Sequence, residues 1–583
     1  MKHLLNLIII FLVFSSILTA QEDHRKNSLH IIRESQAEGK ITEEEAMDLK
    51  MKLIEGIELP EAFRSDIPIK CGLSIAVERK EYLQRHPEKR SAVQKKAMQS
   101  VYNHIFTNKN GQSKTFRINY DVIGANAVPV LDANSNSIPD WVEETGLAFE
   151  RSYRLEVDTM GYREPLSFVS FGYYEIFIED LNNVYGYTDA LLPAVTNNPD
   201  TYNSIITIEN DFSEGFFTHG YEALRVTCGH EFFHAIQFSY IFRDSDVWYY
   251  ELSSTWMEDV TYDSVNDYFA YLNGYFDSPS TSLDETDGYS AAHWNHMIEK
   301  KYGRSAIRKS WENMTTRGAL TAIDDAIKSV SSSNLSNTFS EFAIWNYYTA
   351  GRADSITYFP EAPYYPKVKL SANRPLADTA IDKTLPHLAT HYYSFIVYDT
   401  AGVKLRFQAT ESNSYFDVYT IEYNKATGKN FFYNYGGASN IEIQSLLPGD
   451  TLTCVVVNTE KSDHSNFAYY LDVNVNFGEI IPDPISNFFV YPSPFVLGSS
   501  DDKMRLRFRL GYATDLEMRI FTIDGKMIRK LNFGTLQEGT YLGDSGPSWD
   551  GRDSHGNQVP GGVYIYQLLG KKIKKTGKFA VVR

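Results

Sequence analysis

Tyr221–Tyr240, YEALRVTCGHEFFHAIQFSY, decides how this chain is read. It holds no Pro, and Leu224, Cys228, Phe232 and Ile236 recur at helical spacing, the pattern of a buried helix. At its centre stand His230-Glu231-Phe232-Phe233-His234. Two histidines four residues apart on a helix point the same way, about one turn apart. That bite suits two ring nitrogens holding one Zn²⁺ at about 2.0–2.1 Å. Glu231, beside the first histidine, can reach a water on such an ion without becoming a ligand. The stretch thus offers two ligands and a general base within five residues.

H-E-x-x-H is the metalloprotease signature, and a catalytic zinc also needs a third protein ligand and an open fourth position. The metzincin continuation H-E-x-x-H-x-x-G-x-x-H is closed, because Gln237 and Tyr240 stand at those positions. Downstream lies Trp248–Asp259, WYYELSSTWMED, which as a helix places Glu251, Ser254, Thr255 and Glu258 along one stripe. Here the chain resembles the gluzincin metalloproteases, whose second active-site helix reads like N-E-G-x-A-x-Y-x-E. Glu251 matches the ligand Glu, Ser254 the small residue, Trp256 the aromatic and Glu258 the trailing acid. The resemblance implies an α+β zincin-like catalytic domain with His230, His234 and Glu251 as zinc ligands and Glu231 as base. Glu258 stays open as an alternative third ligand. Thr255 replaces the acid often found four residues after the ligand, so support for a histidine falls to Glu258 or Asp259.

The chemistry implied is peptide-bond hydrolysis by a metal-activated water, with Glu231 moving the proton to the leaving amine. The family's oxyanion donor is a Tyr or His from a later helix. Asp287–His296 offers Tyr289, His293 and His296, with Tyr289 the first choice. Tyr202–Asn210 reads as a strand just before the zinc helix, where gluzincins pair an extended substrate with a sheet edge.

The chain has 583 residues, enough for three or four domains, and a net charge of −18 with 40 Tyr and 35 Phe. An acidic total argues against a nucleic-acid binder. Met1–Ala20 reads as a secretory signal peptide, and no other stretch is apolar enough to span a membrane. A secreted or outer-surface protein is expected. Cys71, Cys228 and Cys454 are too few for a disulfide framework. Cys228 reads as a small buried apolar residue. Cys71, in Pro68-Ile69-Lys70-Cys71-Gly72, has two readings: an ordinary buried cysteine, or one loosely resembling the cysteine switch by which matrix metalloproteases cap their zinc.

Residues 21–100 form a helical N-terminal region, with a capping box at Thr42-x-x-Glu45 and a basic pair at Lys95-Lys96; it reads as a propeptide or as an accessory lid. The catalytic domain is expected over 101–365, opening with the strand Thr115–Tyr120. Within it, Asp132, Asn134, Asn136, Asp140 and Glu143, with the Ile138 carbonyl, have the spacing of a Ca²⁺ loop like those of dockerins or thrombospondin type-three repeats. An Asn- and Ser-rich turn without metal is the other reading. Repeated alternation over 370–478 predicts a β-sandwich. After the linker Pro482-Asp483-Pro484, residues 485–583 carry Phe521–Lys526, Trp549–Asp553, Gly562–Tyr566 and Gly577–Arg583 in that order. Those landmarks resemble the C-terminal Ig-like sorting domains of the type IX secretion system and the related hook-cap module.

Taken together these features predict a secreted zinc endopeptidase acting on protein or peptide and exported by type IX-like machinery. Two other readings stay open: an inactive surface adhesin or structural protein on a zincin-like fold, and a zinc hydrolase cutting a peptidoglycan or other non-protein bond.

Overall fold

The computed structural model describes residues 26–86, 98–193, 200–213, 215–410, 412–437, 440–461, 466–477, 485–497, 503–541, 546–571 and 573–582. The signal peptide, the Lys95-Lys96 pair and the Pro482–Pro484 linker lie outside them. Three helices open the described chain: α1 (Ser28–Ala37), α2 (Glu43–Ile54) and α3 (Leu73–Arg85). The capping box forms as read, with the Thr42 hydroxyl accepting from Glu45 N–H and the Glu45 carboxylate accepting from Thr42 N–H. Leu29, Ile32, Ala46, Leu49 and Leu53 share a core with Leu181, Val184 and Tyr187, so this helical region docks on the unit that follows.

That unit is built on a five-stranded sheet of β1 (Ser100–Thr107), β2 (Ser113–Tyr120), β3 (Tyr174–Glu179), β4 (Gly186–Pro193) and β5 (Tyr202–Glu209), in the order β1-β2-β3-β5-β4. β5 runs parallel to β3 and antiparallel to β4. This corrects the expectation that Tyr202–Asn210 offers a free edge: the edge is β4. Residues along β5 are buried on both faces, as an interior strand requires.

Helices then cover the sheet. α4 (Asp140–Ser152) and the short α5 (Leu166–Phe171) precede β3, and α6 (Gly220–Tyr240) packs on β5 and β4. α6 is buried almost throughout, from Ala223 to Tyr240, because the sheet, α4 and α7 (Val247–Thr261) enclose it. The chain continues through α8 (Asn273–Asp277), α9 (His293–Tyr302), α10 (Arg304–Met314), α11 (Ala319–Val330) and α12 (Leu335–Tyr347). No described helix is long and apolar enough to cross a membrane.

Two β-rich units follow. The first pairs a five-stranded sheet (Lys429–Asn434, Phe416–Asn424, Thr451–Asn458, Ala389–Ile396, Ala372–Pro375) with a four-stranded one (Asn440–Leu446, Ala401–Ala409, Asn466–Phe477, Thr379–Pro386). Its apolar interior includes Phe395, Phe407, Cys454 and Leu471. The opposite face of its larger sheet packs on the helices: Tyr392, Tyr419, Ile421, Val455 and Val457 belong to the helical unit's core. There the Tyr392 hydroxyl donates to Ala343 O at 2.7 Å. The last unit packs two further sheets around Phe495, Leu506, Phe508, Met518, Trp549 and Phe579, which agrees with the predicted C-terminal sandwich.

Candidate active site

α6 and α7 run side by side and bring His230, His234 and Glu251 together. The two Nε2 atoms are 3.0 Å apart, and Glu251 Oε2 lies 3.2 Å from His230 Nε2 and 3.3 Å from His234 Nε2. On the far side of each ring, His230 Nδ1 meets Glu258 Oε1 at 2.6 Å and His234 Nδ1 meets Gln237 Oε1 at 2.7 Å. Gln237 is oriented by donating from Nε2 to Tyr250 O and to the Ser254 hydroxyl. Each Nδ1 therefore faces an oxygen acceptor, the arrangement in which Nδ1 keeps the ring proton and Nε2 is the nitrogen that would offer its lone pair to an ion. Glu258, an alternative ligand by spacing, sits on the outer side of His230; Glu251 faces the inner side. Asp259 is turned toward His296 instead, 3.9 Å away.

Two lone pairs and a carboxylate oxygen thus converge on one point, which calls for positive charge. Their separations match the edge of a tetrahedron with bonds near 2.05 Å, about 3.3 Å. Glu251 Oε1 and Glu231 Oε1 are buried without a hydrogen-bond partner. These observations fit a bound Zn²⁺. Titration expresses the same demand. Burial disfavours charge on His230, yet Glu251 and Glu258 outweigh it and raise the imidazole to about 9. Burial raises Glu251 as well, but His234 and His230 overcome it and hold the carboxyl near 2, lowered to about 2.

Glu231 projects from the same turn as His230. Its Oε2 accepts from the Thr188 hydroxyl at 2.7 Å, and that hydroxyl also reaches Glu231 O. Burial pushes its carboxyl upward. Gly186, at the start of β4, leaves room for it: a Cβ there would lie 3.2 Å from Glu231 Cγ and 3.0 Å from Thr207 O.

Tyr289 also reaches the site, although its segment is a single 3₁₀ turn (Tyr289–Ala291) before α9. Its ring centroid lies 6.3 Å from that of His230, and its hydroxyl donates to Cys71 O at 3.3 Å. Gly288, at φ 84°, allows this approach, since a Cβ there would sit 2.4 Å from Trp248 O and 2.7 Å from Glu251 Cβ. His293 and His296 do not join. His293 is packed among Tyr275, Phe276, Phe342 and Phe359, and His296 stacks on Tyr268. Burial lowers both to about 3.

Three neighbours escaped the sequence reading: Thr188, Gln237 as a histidine partner, and Lys70. Lys70 Nζ is buried between Glu258 Oε2 at 2.8 Å and Asp267 Oδ2 at 2.5 Å. Removing one member of such a buried set costs about 3–5 kcal/mol, because it strands an uncompensated charge. The next residue is Cys71, whose Sγ belongs to the same cluster as the two imidazoles and Glu251, all four ligand atoms lying within 4.8 Å of one another. Among the described residues this is the one His, Cys, Asp and Glu cluster suited to a metal ion.

The Asp132–Glu143 stretch behaves differently. Asp132 accepts from Asn136 N–H and Ser137 N–H, Asp140 from Ala133 N–H, and Glu143 from the side-chain amides of Asn134 and Asn136. Ile138 is tied by its N–H to Asn136 Oδ1. Asp132, Asp140 and Glu143 do not form a metal-suited cluster.

No family profile and no curated protein match the chain. Solved structures with some likeness include PorZ, a bacterial surface component of the type-IX secretion system of Porphyromonas gingivalis (20% identity, 20% of this chain and 14% of that one, TM-score 0.14). Others are latent dimeric PorU of the same organism (14% identity, 37% and 19%, TM-score 0.17) and a β-glucuronidase of Parabacteroides merdae (11% identity, 33% and 27%, TM-score 0.17). The chain spans between 14% and 27% of those three proteins, and likeness at this level carries no argument about function.

Proposed function

We propose that this chain is a secreted zinc-dependent peptidase of zincin type, with His230, His234 and Glu251 holding the ion. The observation that carries the reading is the convergence of two imidazole lone pairs and one carboxylate, with Glu231 beside them. A zinc ion held there supplies Lewis acidity to a scissile carbonyl and acidity to a water. Glu231 is the base that would take a proton from the attacking water and return it to the leaving amine, with Thr188 holding its carboxylate in place. Glu258 and Gln237 fix the two imidazoles in the tautomer that leaves Nε2 free. Tyr289 is the hydrogen-bond donor best placed to meet a substrate carbonyl.

A peptide substrate is supported by the β4 edge, where this chain's own Ile69–Gly72 already lies extended. Export through type IX-like machinery is proposed from the landmarks of the C-terminal sandwich and the N-terminal leader.

Metal content and casein cleavage test the reading together. Purified chain should carry about one zinc. Glu231→Gln should keep that zinc and lose about 10²–10⁴-fold in cleavage. A chain that takes up no zinc would sink the proposal.

A further inference from the structure

Ile69–Gly72 enters the candidate site as a fourth wall. Ile69 N–H donates to Asn183 O at 2.8 Å, Tyr185 N–H to Ile69 O at 3.0 Å, and Gly72 N–H to Gly186 O at 2.9 Å. The segment therefore runs parallel to the chain entering β4, with Ile69 bridged to Val184. Gly72 passes close to that strand, where a Cβ would meet Tyr187 Cβ at 3.0 Å and Ile54 Cγ2 at 3.1 Å. Nothing wider than glycine passes without displacing a neighbour.

We infer that Cys71 is a fourth, thiolate ligand of the zinc, and that Ile69–Gly72 occupies the substrate groove and keeps the full chain latent. This rests on the zinc-peptidase reading above.

Four observations carry it. The Cys71 sulfur lies within 4.8 Å of both imidazole nitrogens and the Glu251 oxygen, where it completes a four-donor set. As the sulfur–metal bond forms, the thiol releases its proton to solvent, the usual accompaniment of thiolate ligation. Backbone pairing with the β4 entry lays the segment in the groove an extended peptide would use. Lys70 anchors it through Glu258, the same acid that holds His230. The Tyr289 hydroxyl, proposed above to meet a substrate carbonyl, is already given to the Cys71 carbonyl. The outcome is a hydrolytic site closed to solvent: Cys71, His230, Glu231, His234 and Glu251 are each no more than 1% exposed. A site so covered admits substrate only in the fraction of molecules whose segment has moved.

Cobalt substitution of the full chain tests this without relying on activity. The wild-type Co²⁺ protein should show visible bands of four-coordinate cobalt together with a near-ultraviolet sulfur-to-cobalt band. Cys71→Ser should keep the visible bands and lose the sulfur band. The wild-type spectrum decides even where that variant folds poorly, because Cys228 and Cys454 are buried outside the cluster. Casein cleavage should rise more than about tenfold in Cys71→Ser, as freeing an occluded population would require. Adding Glu231→Gln to that variant should abolish the gain. Lys70→Met, which removes the anchor and spares the thiol, should raise cleavage and weaken the sulfur band. Cobalt bound in both proteins, with no sulfur band and equal cleavage, would overturn the latency inference and leave the peptidase reading standing. No cobalt in either would overturn both.

Discussion

Two stretches of this chain match cation-binding spacings, His230–His234 with Glu251 and Asp132–Glu143, yet the fold completes them in opposite ways. The loop turns its oxygens onto its own amides. Asp132, Asp140 and Glu143 all accept hydrogen bonds from within the loop, on a largely exposed surface. The helical pair cannot do that. His230, His234 and Glu251 face one another in a buried space, where the outward ring nitrogens of the two histidines are engaged by Glu258 and Gln237 and Glu251 Oε1 has no hydrogen-bond partner. Burial without internal satisfaction is what separates the helical cluster from a loop whose carboxylates already accept hydrogen bonds from within it. Spacing alone registers both stretches equally.

The sharpest way to break the contrast is to separate the two acids on α7. Glu251→Gln should release zinc on dialysis, whereas Glu258→Gln should keep it and weaken affinity by about 10–100-fold, as loss of a histidine partner does. Metal content after dialysis against a graded chelator reads both, and the reverse order would make Glu258 the ligand. A smaller effect is expected at Thr188. Thr188→Val in the Cys71→Ser chain should lower kcat several-fold, about the worth of one hydrogen bond, with zinc content unchanged. An unchanged kcat would remove Thr188 from the positioning of Glu231. The smallest effect belongs to the loop. Asp132→Ala removes the acceptor for two backbone amides and should lower the melting temperature by about 2–4 °C, equally in EDTA and in Ca²⁺. A fall seen only in Ca²⁺ would mark the loop as a cation site after all.

Legibility in the sequence followed the range of the interaction. The two histidines and Glu231 are local to one helix, and Glu251 lies one short loop later, so periodicity and spacing sufficed. The choice between Glu251 and Glu258 was beyond spacing, because both lie on one stripe of α7 and only the packing of α6 against it shows which imidazole face each acid meets. Tyr289 lies 6.3 Å, ring to ring, from His230, although a 3₁₀ turn held by Gly288 stands where a helix is expected to begin. His293 and His296, at helical spacing nearby, were drawn instead into an aromatic core. Lys70 was not legible at all: its ion pair with Asp267 spans 197 positions. Cys71 carries only a loose motif in the sequence, and its place beside the two imidazoles is set by Ile69–Gly72 lying along the entry to β4. The free edge was misread for a related reason, since a strand's neighbours are set by topology rather than by its own pattern.

The packing of the middle sandwich on the helices has a practical consequence for anyone cutting this protein into parts. Tyr392, Tyr419, Ile421, Val455 and Val457 fill the floor beneath α12 and its neighbours, so a chain ended near residue 365 would leave that floor open to water. A fragment cut so as to keep that floor covered would run on through Phe477. The last sandwich touches the middle one as well, with Arg509 donating to Ser445 O at 3.4 Å and Arg507 lying over the Phe431 ring at 5.1 Å.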